Sequence, residues 1–503
     1  MLKHYIHCHQ GYDLKKGGSV GYISSLSAAF LESNPERLTK KGIECCFLFP
    51  NISPQERIPN DILERVLDTN FDYTQEVFFE NANVSLVNQR KNWFKEIIPS
   101  SEYAKISAKY ISSIHIHGAY NFLPIYNTLV RMGVESRVIK ILTTHNPYQP
   151  TTEDLYLINR GQKQTKENNK MLYYFHNERD KWAFKLADCL FFPSEHSLEG
   201  YYNTWEDFSD LIKHKPIYFC PTGTAMEKSF LDKNFLRQSL NIPQEAKVLL
   251  YIGRFIDVRG YDILIEAAKQ IINQNKNIYF VVVGEAGQSP ITSKQWIQIP
   301  YTQSPQDYIN FADACLCPNR GSLFDLSMIE ILSCKKPIIC SYVGGYKWLN
   351  SKTSGVIYTE ANSVESLING INKFISLNQK LIDKMGQENF ELYEQELTLK
   401  RFQENYCQTI DQIYNDFKIN SKIYSLSFCD KKSLFPLKNK PKKEFLVNQN
   451  ISQTAQNINA NKIQNIDAKK TNLSPLQRKL RKLINNPTLF FEDYFKKRKN
   501  AKK

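Results

Sequence analysis

Short apolar runs recur along the first 420 residues, separated by stretches in which apolar positions return every three or four residues. In the first half the runs are CCFLFP (45–50), SIHIHG (113–118), VIKILTTH (138–145) and CLFFPS (189–194). The second half starts again with KVLLYIGR (247–254), followed by NIYFVVVGE (277–285), ACLCPN (314–319) and KPIICSYVGG (336–345). Continuous apolar runs of this length suit strands buried on both faces, and the spacing in DILIEAAKQIINQ (262–274) is that of a helix with one apolar stripe. Strand–helix repetition of this kind predicts an α/β protein with parallel sheets. The runs fall into two sets divided near residues 216–245. They predict two Rossmann-like, doubly wound domains facing a cleft, where ligands sit beyond the carboxyl ends of the strands. The expected order is one domain over 1–215, a second over 216–396, and a closing helix at 397–418 that packs back toward the first. A flexible linker over 419–473 and a basic amphipathic tail over 474–503 follow.

Length and composition fit this outline. The chain has 503 residues, 42% of them hydrophobic and 23% charged, the balance of a globular protein with more than one core. No stretch approaches the roughly 18 apolar residues of a membrane span. The N-terminal MLKHYIHCHQGYDLKKGG lacks the apolar segment of a secretory signal. These two readings place the protein in the cytoplasm. The 11 cysteines are scattered without a CxxC pair, and those at 45–46 and 315–317 lie in apolar runs. They read as small buried hydrophobes in a reducing compartment.

Charge separates the body from the tail. The net charge is +14, yet from residue 421 onward there are 20 Lys/Arg against 5 Asp/Glu, which leaves 45 against 46 for residues 1–420. A neutral body argues against a nucleic-acid-binding core, whose basic residues would line its face. Within the tail, SPLQRKLRKLINNPTLFFEDYFKKR (474–498) sets Leu476, Leu480, Leu483 and Ile484 on one helical face with Arg and Lys beside them. Such a segment suits an anionic membrane surface, a docking site on a partner enzyme, or a solvated extension.

The residue chemistry concentrates where strands end. In YIGRFIDVRGYDILIEAA (251–268) a strand stops at Gly253, Arg254 and Arg259 follow, and Gly260 leads into a helix. Two guanidiniums beside a helix N-terminus can neutralise the charge of a departing diphosphate. Farther on, PNRGSLFDLSMIEILSCKKPIICSYVGG (318–345) runs from a loop into a helix carrying Glu330, whose carboxylate can accept hydrogen bonds from ribose hydroxyls. In the first half, Gly17 and Gly18 precede the apolar helix YISSLSAAFL, and glycines there let backbone N–H groups approach phosphate or sugar. His145 ends one strand run and faces the cleft, where imidazole can bond a sugar hydroxyl or take a proton. His117 reads as an acceptor-side or structural residue and His115 as packed core. His7 and His9 form a His-x-His pair without a third metal ligand. No Asp-x-Asp occurs, so the arginines, and no metal, are expected to meet the diphosphate.

The segments GR-x4-R-G-x-D-x-L-I-x-A (253–267), VVVGEAG (281–287) and 318–345 stand in one order that resembles the family 4 retaining glycosyltransferases of GT-B fold. The resemblance covers residues 1 to about 418. It implies a nucleotide-sugar donor on the second domain and an acceptor on the first. Arg254 and Arg259 would hold the diphosphate, with Arg259 where lysine is usual, and Glu330 the ribose. Gly18, Gly253, Gly284, Ser322, Phe324, Asp325 and Leu326 would line the donor site. His145 matches the strand-end histidine of a T-x-H motif beside the donor sugar. The chain departs from the pattern at Ser322, where the family has its first glutamate, and at Asp325, where it has glycine in the loop that touches the sugar. The tail is similar to terminal segments of bacterial capsule and surface-polysaccharide enzymes. The implied activity is metal-independent, retaining transfer of a hexosyl group to a lipid-linked or surface glycan, without a cofactor, at the inner face of the cell membrane. Two other readings compete with it, a nucleotide-sugar 2-epimerase on the same fold and a non-catalytic sugar-nucleotide-binding assembly subunit.

Overall fold

The computed structural model of the chain describes residues 1–7, 18–48, 106–161, 165–225, 228–285 and 287–418. Gly17, His9, the linker and the basic tail, all singled out above, lie outside these residues. Twelve described strands form two six-stranded sheets. The first comprises β1 (Lys3–His7), β2 (Glu44–Leu48), β3 (Ile111–His117), β4 (Ile139–Thr143), β5 (Cys189–Phe192) and β6 (Ile217–Phe219), in the order β2-β1-β3-β4-β5-β6. The second holds β7 (Lys247–Ile252), β8 (Ile278–Gly284), β9 (Trp296–Pro300), β10 (Ala314–Cys317), β11 (Ile338–Ser341) and β12 (Val356–Thr359), ordered β12-β11-β10-β7-β8-β9. Every named pair is parallel.

The apolar runs become central strands because both of their faces are covered. Along β7, Val248 and Leu250 enter one hydrophobic cluster, while Leu249 and Tyr251 enter the cluster on the opposite face. The helix Tyr261–Gln274 buries Ile263, Leu264, Ala267, Ala268, Ile271 and Ile272, the stripe expected from three- and four-residue spacing. In the first sheet, β5 sends Leu190 and Phe192 to one face and Cys189 and Phe191 to the other. The helix Leu399–Asp416 joins that second face through Phe402, Tyr406, Ile410, Ile413 and Tyr414.

One expected boundary moves. β6 pairs with β5 through Leu190–Ile217, so the first sheet extends past residue 215. Its three residues stand between Pro216 and Pro221, too short a run to stand out from a linker. β9 and β12 were also invisible as apolar runs. Both end the order of their sheet, and their partly exposed positions dilute the hydrophobic signal. All nine described cysteines are free and eight are buried.

Candidate active site

In both sheets the strand order reverses beside the first strand, between β1 and β3 and between β7 and β10. Loops leaving adjacent strands there part in opposite directions and open a crevice at the carboxyl ends. A cleft of about 1130 Å³ lies at these ends, lined from the first half by Gly18, His145, Asn146 and Glu153, and from the second by Arg254, Arg259, Asp325 and Glu330.

Close backbone contacts build the second wall. Gly260 has a φ of 64°, and a Cβ there would stand 1.8 Å from the carbonyl oxygen of Pro318. Only glycine lets the turn after β7 lie against the loop after β10. Arg320 reinforces this junction, donating to both carboxylate oxygens of Asp262 at 2.7 and 2.6 Å and to the carbonyl of Asp257 at 2.6 Å. The double glycine after β11 serves a similar purpose. A Cβ on Gly344 would fall 1.9 Å from the Ser322 carbonyl oxygen, and Gly345 N–H donates to that carbonyl at 3.1 Å.

The arginines have different surroundings. Arg254 is half exposed and reaches across the cleft to Glu153 Oε1 at 3.4 Å. Arg259 is three-quarters covered and pairs with Asp325 of its own half. Asp325 also accepts from Asn319 Nδ2 at 2.9 Å and the Tyr346 hydroxyl at 3.0 Å. The two departures noted in the sequence, Asp325 and Arg259, are therefore each other's counter-ions. Gly253, Gly284, Phe324 and Leu326 line the same cleft. Ser322 does not. It is buried, and its hydroxyl has no partner among the described residues.

On the first wall, Gly18 opens the helix Gly18–Ser33 with a φ of 67°. His145 lines the cleft, and its Nε2 lies 2.9 Å from Nδ1 of His117. His117 itself is buried within the sheet and does not line the cleft, which corrects the acceptor-side assignment. Its side chain leaves the last residue of β3 toward the helix-covered face, where the Tyr22 ring packs at a tilt against both imidazoles with centroids 5.3 and 5.1 Å away. Burial, with His115 and His145 nearby, holds His117 well below the usual histidine range, so it is neutral. His115 is buried, as expected of core, with its nitrogens on the Tyr406 and Thr143 hydroxyls.

Glu153 escaped the sequence reading. It follows His145 by two turns of chain, begins the helix Pro150–Gly161, and accepts from Asn146 Nδ2 at 2.8 Å. The only available signal was its place after a strand end, since helix-start glutamates are common. Among the described residues no three His, Cys, Asp or Glu side chains gather as metal ligands would, and no helix is long and apolar enough to cross a membrane.

Residues 232–391 match the family model "Glycosyl transferases group 1". Over 310 residues, 56% of this chain and 76% of the relative, the sequence is 28% identical to the lipopolysaccharide 1,2-N-acetylglucosaminetransferase of Salmonella typhimurium. It is 29% identical over 145 residues to the putative teichuronic acid biosynthesis glycosyltransferase TuaC of Bacillus subtilis, spanning 28% of this chain and 36% of that one. Among solved structures, sucrose-phosphate synthase of Thermosynechococcus elongatus superposes with a TM-score of 0.53 at 16% identity, covering 83% of this chain and 99% of that one. HepE of Anabaena, solved in complex with UDP and glucose, gives 0.52 at 14% identity, covering 82% and 100%. These structural likenesses concern the fold, and the sequence matches concern the chemistry. Together they support sugar transfer from a nucleotide-sugar donor by a chain of GT-B architecture whose residues 232–391 match a group 1 glycosyltransferase domain.

Proposed function

We propose that the cleft binds a nucleotide-sugar and passes its sugar to a glycan acceptor, a lipid-linked or surface polysaccharide. One observation carries this reading: Arg254, Arg259 and Glu330 of one half and Gly18 and His145 of the other all line a single cleft. In the proposal the guanidiniums grip the diphosphate and Glu330 accepts from the ribose hydroxyls. The sugar–phosphate bond breaks with its electron pair passing to the diphosphate, whose growing charge the arginines neutralise. The acceptor oxygen then bonds the sugar carbon on the face the diphosphate left, and His145 stands ready to bond a sugar hydroxyl or take the proton. Retention follows from the resemblance of 253–345 to family 4, and neither a metal nor a cofactor is invoked. The relatives named for lipopolysaccharide and teichuronic acid synthesis support a surface glycan as acceptor.

The test is isothermal titration of the full chain with UDP-, GDP-, ADP- and CMP-linked sugars. One of them binds the wild type, and Arg254→Ala weakens it by about tenfold to a hundredfold, the worth of a charge-assisted contact to phosphate. Because Arg254 is half exposed, the substitution leaves the melting temperature nearly unchanged. Equal affinity in the variant rejects the site.

A further inference from the structure

Asp325 holds the N-cap position of the helix Leu326–Ser333, yet its side chain accepts no hydrogen bond from that helix. The carboxylate turns instead toward the floor of the cleft, where one oxygen does all the bonding. Oδ2 takes the Arg259 guanidinium, Asn319 Nδ2 and the Tyr346 hydroxyl. Oδ1 has no protein partner among the described residues, although the side chain is only 9% exposed and the residue lines the cleft. Oδ1 is not sealed from solvent and opens into the cleft, where a ligand can supply the donors that the protein does not. Three protein donors on Oδ2 fix the orientation of the group and leave Oδ1 as a directed acceptor of an ion-paired carboxylate.

What reaches Oδ1 follows from its neighbour, and this step rests on the reading of the site just proposed. With the diphosphate on Arg254 and Arg259, the sugar is bonded to the phosphate beside Asp325, whereas the ribose lies toward Glu330. We propose that Asp325 is a specificity-determining residue for the donor sugar. It selects a neutral sugar that presents a hydroxyl or amide N–H to Oδ1 and rejects donors whose sugar carries a carboxylate. The attractive part is a charge-assisted hydrogen bond. The repulsive part is the cost of holding a second carboxylate against Asp325 in a poorly solvated corner. Glycine at this position supplies neither, so the substitution narrows the choice of donor and does not merely fill space.

Asp325 also steadies Arg259, and the experiment must separate the two roles. Dissociation constants are measured by titration calorimetry on the full chain for UDP-glucose against UDP-glucuronic acid and for GDP-mannose against GDP-mannuronic acid. Free UDP and GDP serve as references. The wild type prefers the neutral member of its pair by about tenfold or more, and Asp325→Asn and Asp325→Gly bring that ratio close to one. A pure steadying role lowers the affinity for both members and for the free nucleotide by the same factor, and this result overturns the inference. So does a wild type that binds free UDP or GDP without discriminating within the pair. A wild type that binds none of free UDP, GDP, ADP and CMP overturns the nucleotide reading and the inference with it. The melting temperature of each variant shows that it folds, and Asp325→Asn keeps the volume of the side chain should Asp325→Gly unfold.

Discussion

Arg254 and Glu153 face each other from opposite walls at 3.4 Å. In the proposed function a diphosphate takes the place of Glu153 on this guanidinium, so the two compete for Arg254. A half-exposed pair of this kind is held by about 1 kcal/mol or less, which a diphosphate displaces easily. Glu153 then remains beside the phosphates as a like charge. Glu153→Gln removes both the competitor and the repulsion. Donor affinity therefore rises, by about threefold to tenfold at low salt, and the gain shrinks as salt screens the charges. A drop in affinity on titration of the variant would mean that Glu153 contacts the donor directly. Asp325 follows the opposite logic, since its Oδ2 is tied to three donors and cannot leave Arg259 cheaply.

At the scale of elements, the unusual member is β3. A central strand of a doubly wound sheet is normally apolar, yet this one carries buried Ser112, Ser113, His115 and His117. The helix Leu399–Asp416 satisfies Ser112, Ser113 and His115, whereas His117 bonds His145 through Nδ1. The Tyr406 hydroxyl meets His4 Nε2 at 2.9 Å and His115 Nδ1 at 2.8 Å, and the Tyr414 hydroxyl meets Ser113 at 2.7 Å. His4 closes the set through its Nδ1, 2.6 Å from the Ser113 hydroxyl. These partners are hydroxyls and not carboxylates, so nothing offsets the cost of charging the imidazoles. Burial lowers His4 to about 3 and puts His115 and His117 well below 6.5. Since the folded pKa lies below the unfolded one, the unfolded chain binds more protons as pH falls through 6.5, and stability drops from there toward pH 3. For His4 the cost is about 2 kcal/mol at pH 5, and His115 and His117 act in the same direction. Melting temperatures at pH 7.5 and 5.0 should differ clearly, and His4→Asn should reduce the difference. A flat profile between these values would contradict the burial argument.

At the scale of the molecule, the chain divides its labour by charge. Residues 1–420 balance 45 basic against 46 acidic groups, while residues 474–503 hold 10 basic against 2 acidic among leucines and phenylalanines. We propose that attraction to an anionic membrane rests on the tail and not on the neutral body, each basic residue near such a surface adding about 1 kcal/mol. We expect truncation after Leu473 to reduce recovery in the membrane fraction while leaving donor titration unchanged. Undiminished recovery would assign the tail to a protein partner or to solvent.

Hydrophobic periodicity is local, so the sequence alone determined the two doubly wound α/β halves and most of their central strands, while the spatial order of the strands came from the structure. Contiguous chemistry was legible for the same reason. Arg254, Arg259, Glu330, Gly18 and His145 were all found from their places at strand ends, and all line the cleft. The short edge strands β6, β9 and β12 were not legible, because a few half-covered residues carry little pattern. Nor was the packing role of Gly344, which follows from the approach of Ser322 and not from a ligand. Only the tertiary structure decided which charges meet. Arg254 finds Glu153 from 101 residues away and Arg259 finds Asp325 from 66. It also decided that His117 and Ser322 turn inward. Such pairings depend on how loops after distant strands are brought together in space, and no spacing along the chain encodes that distance.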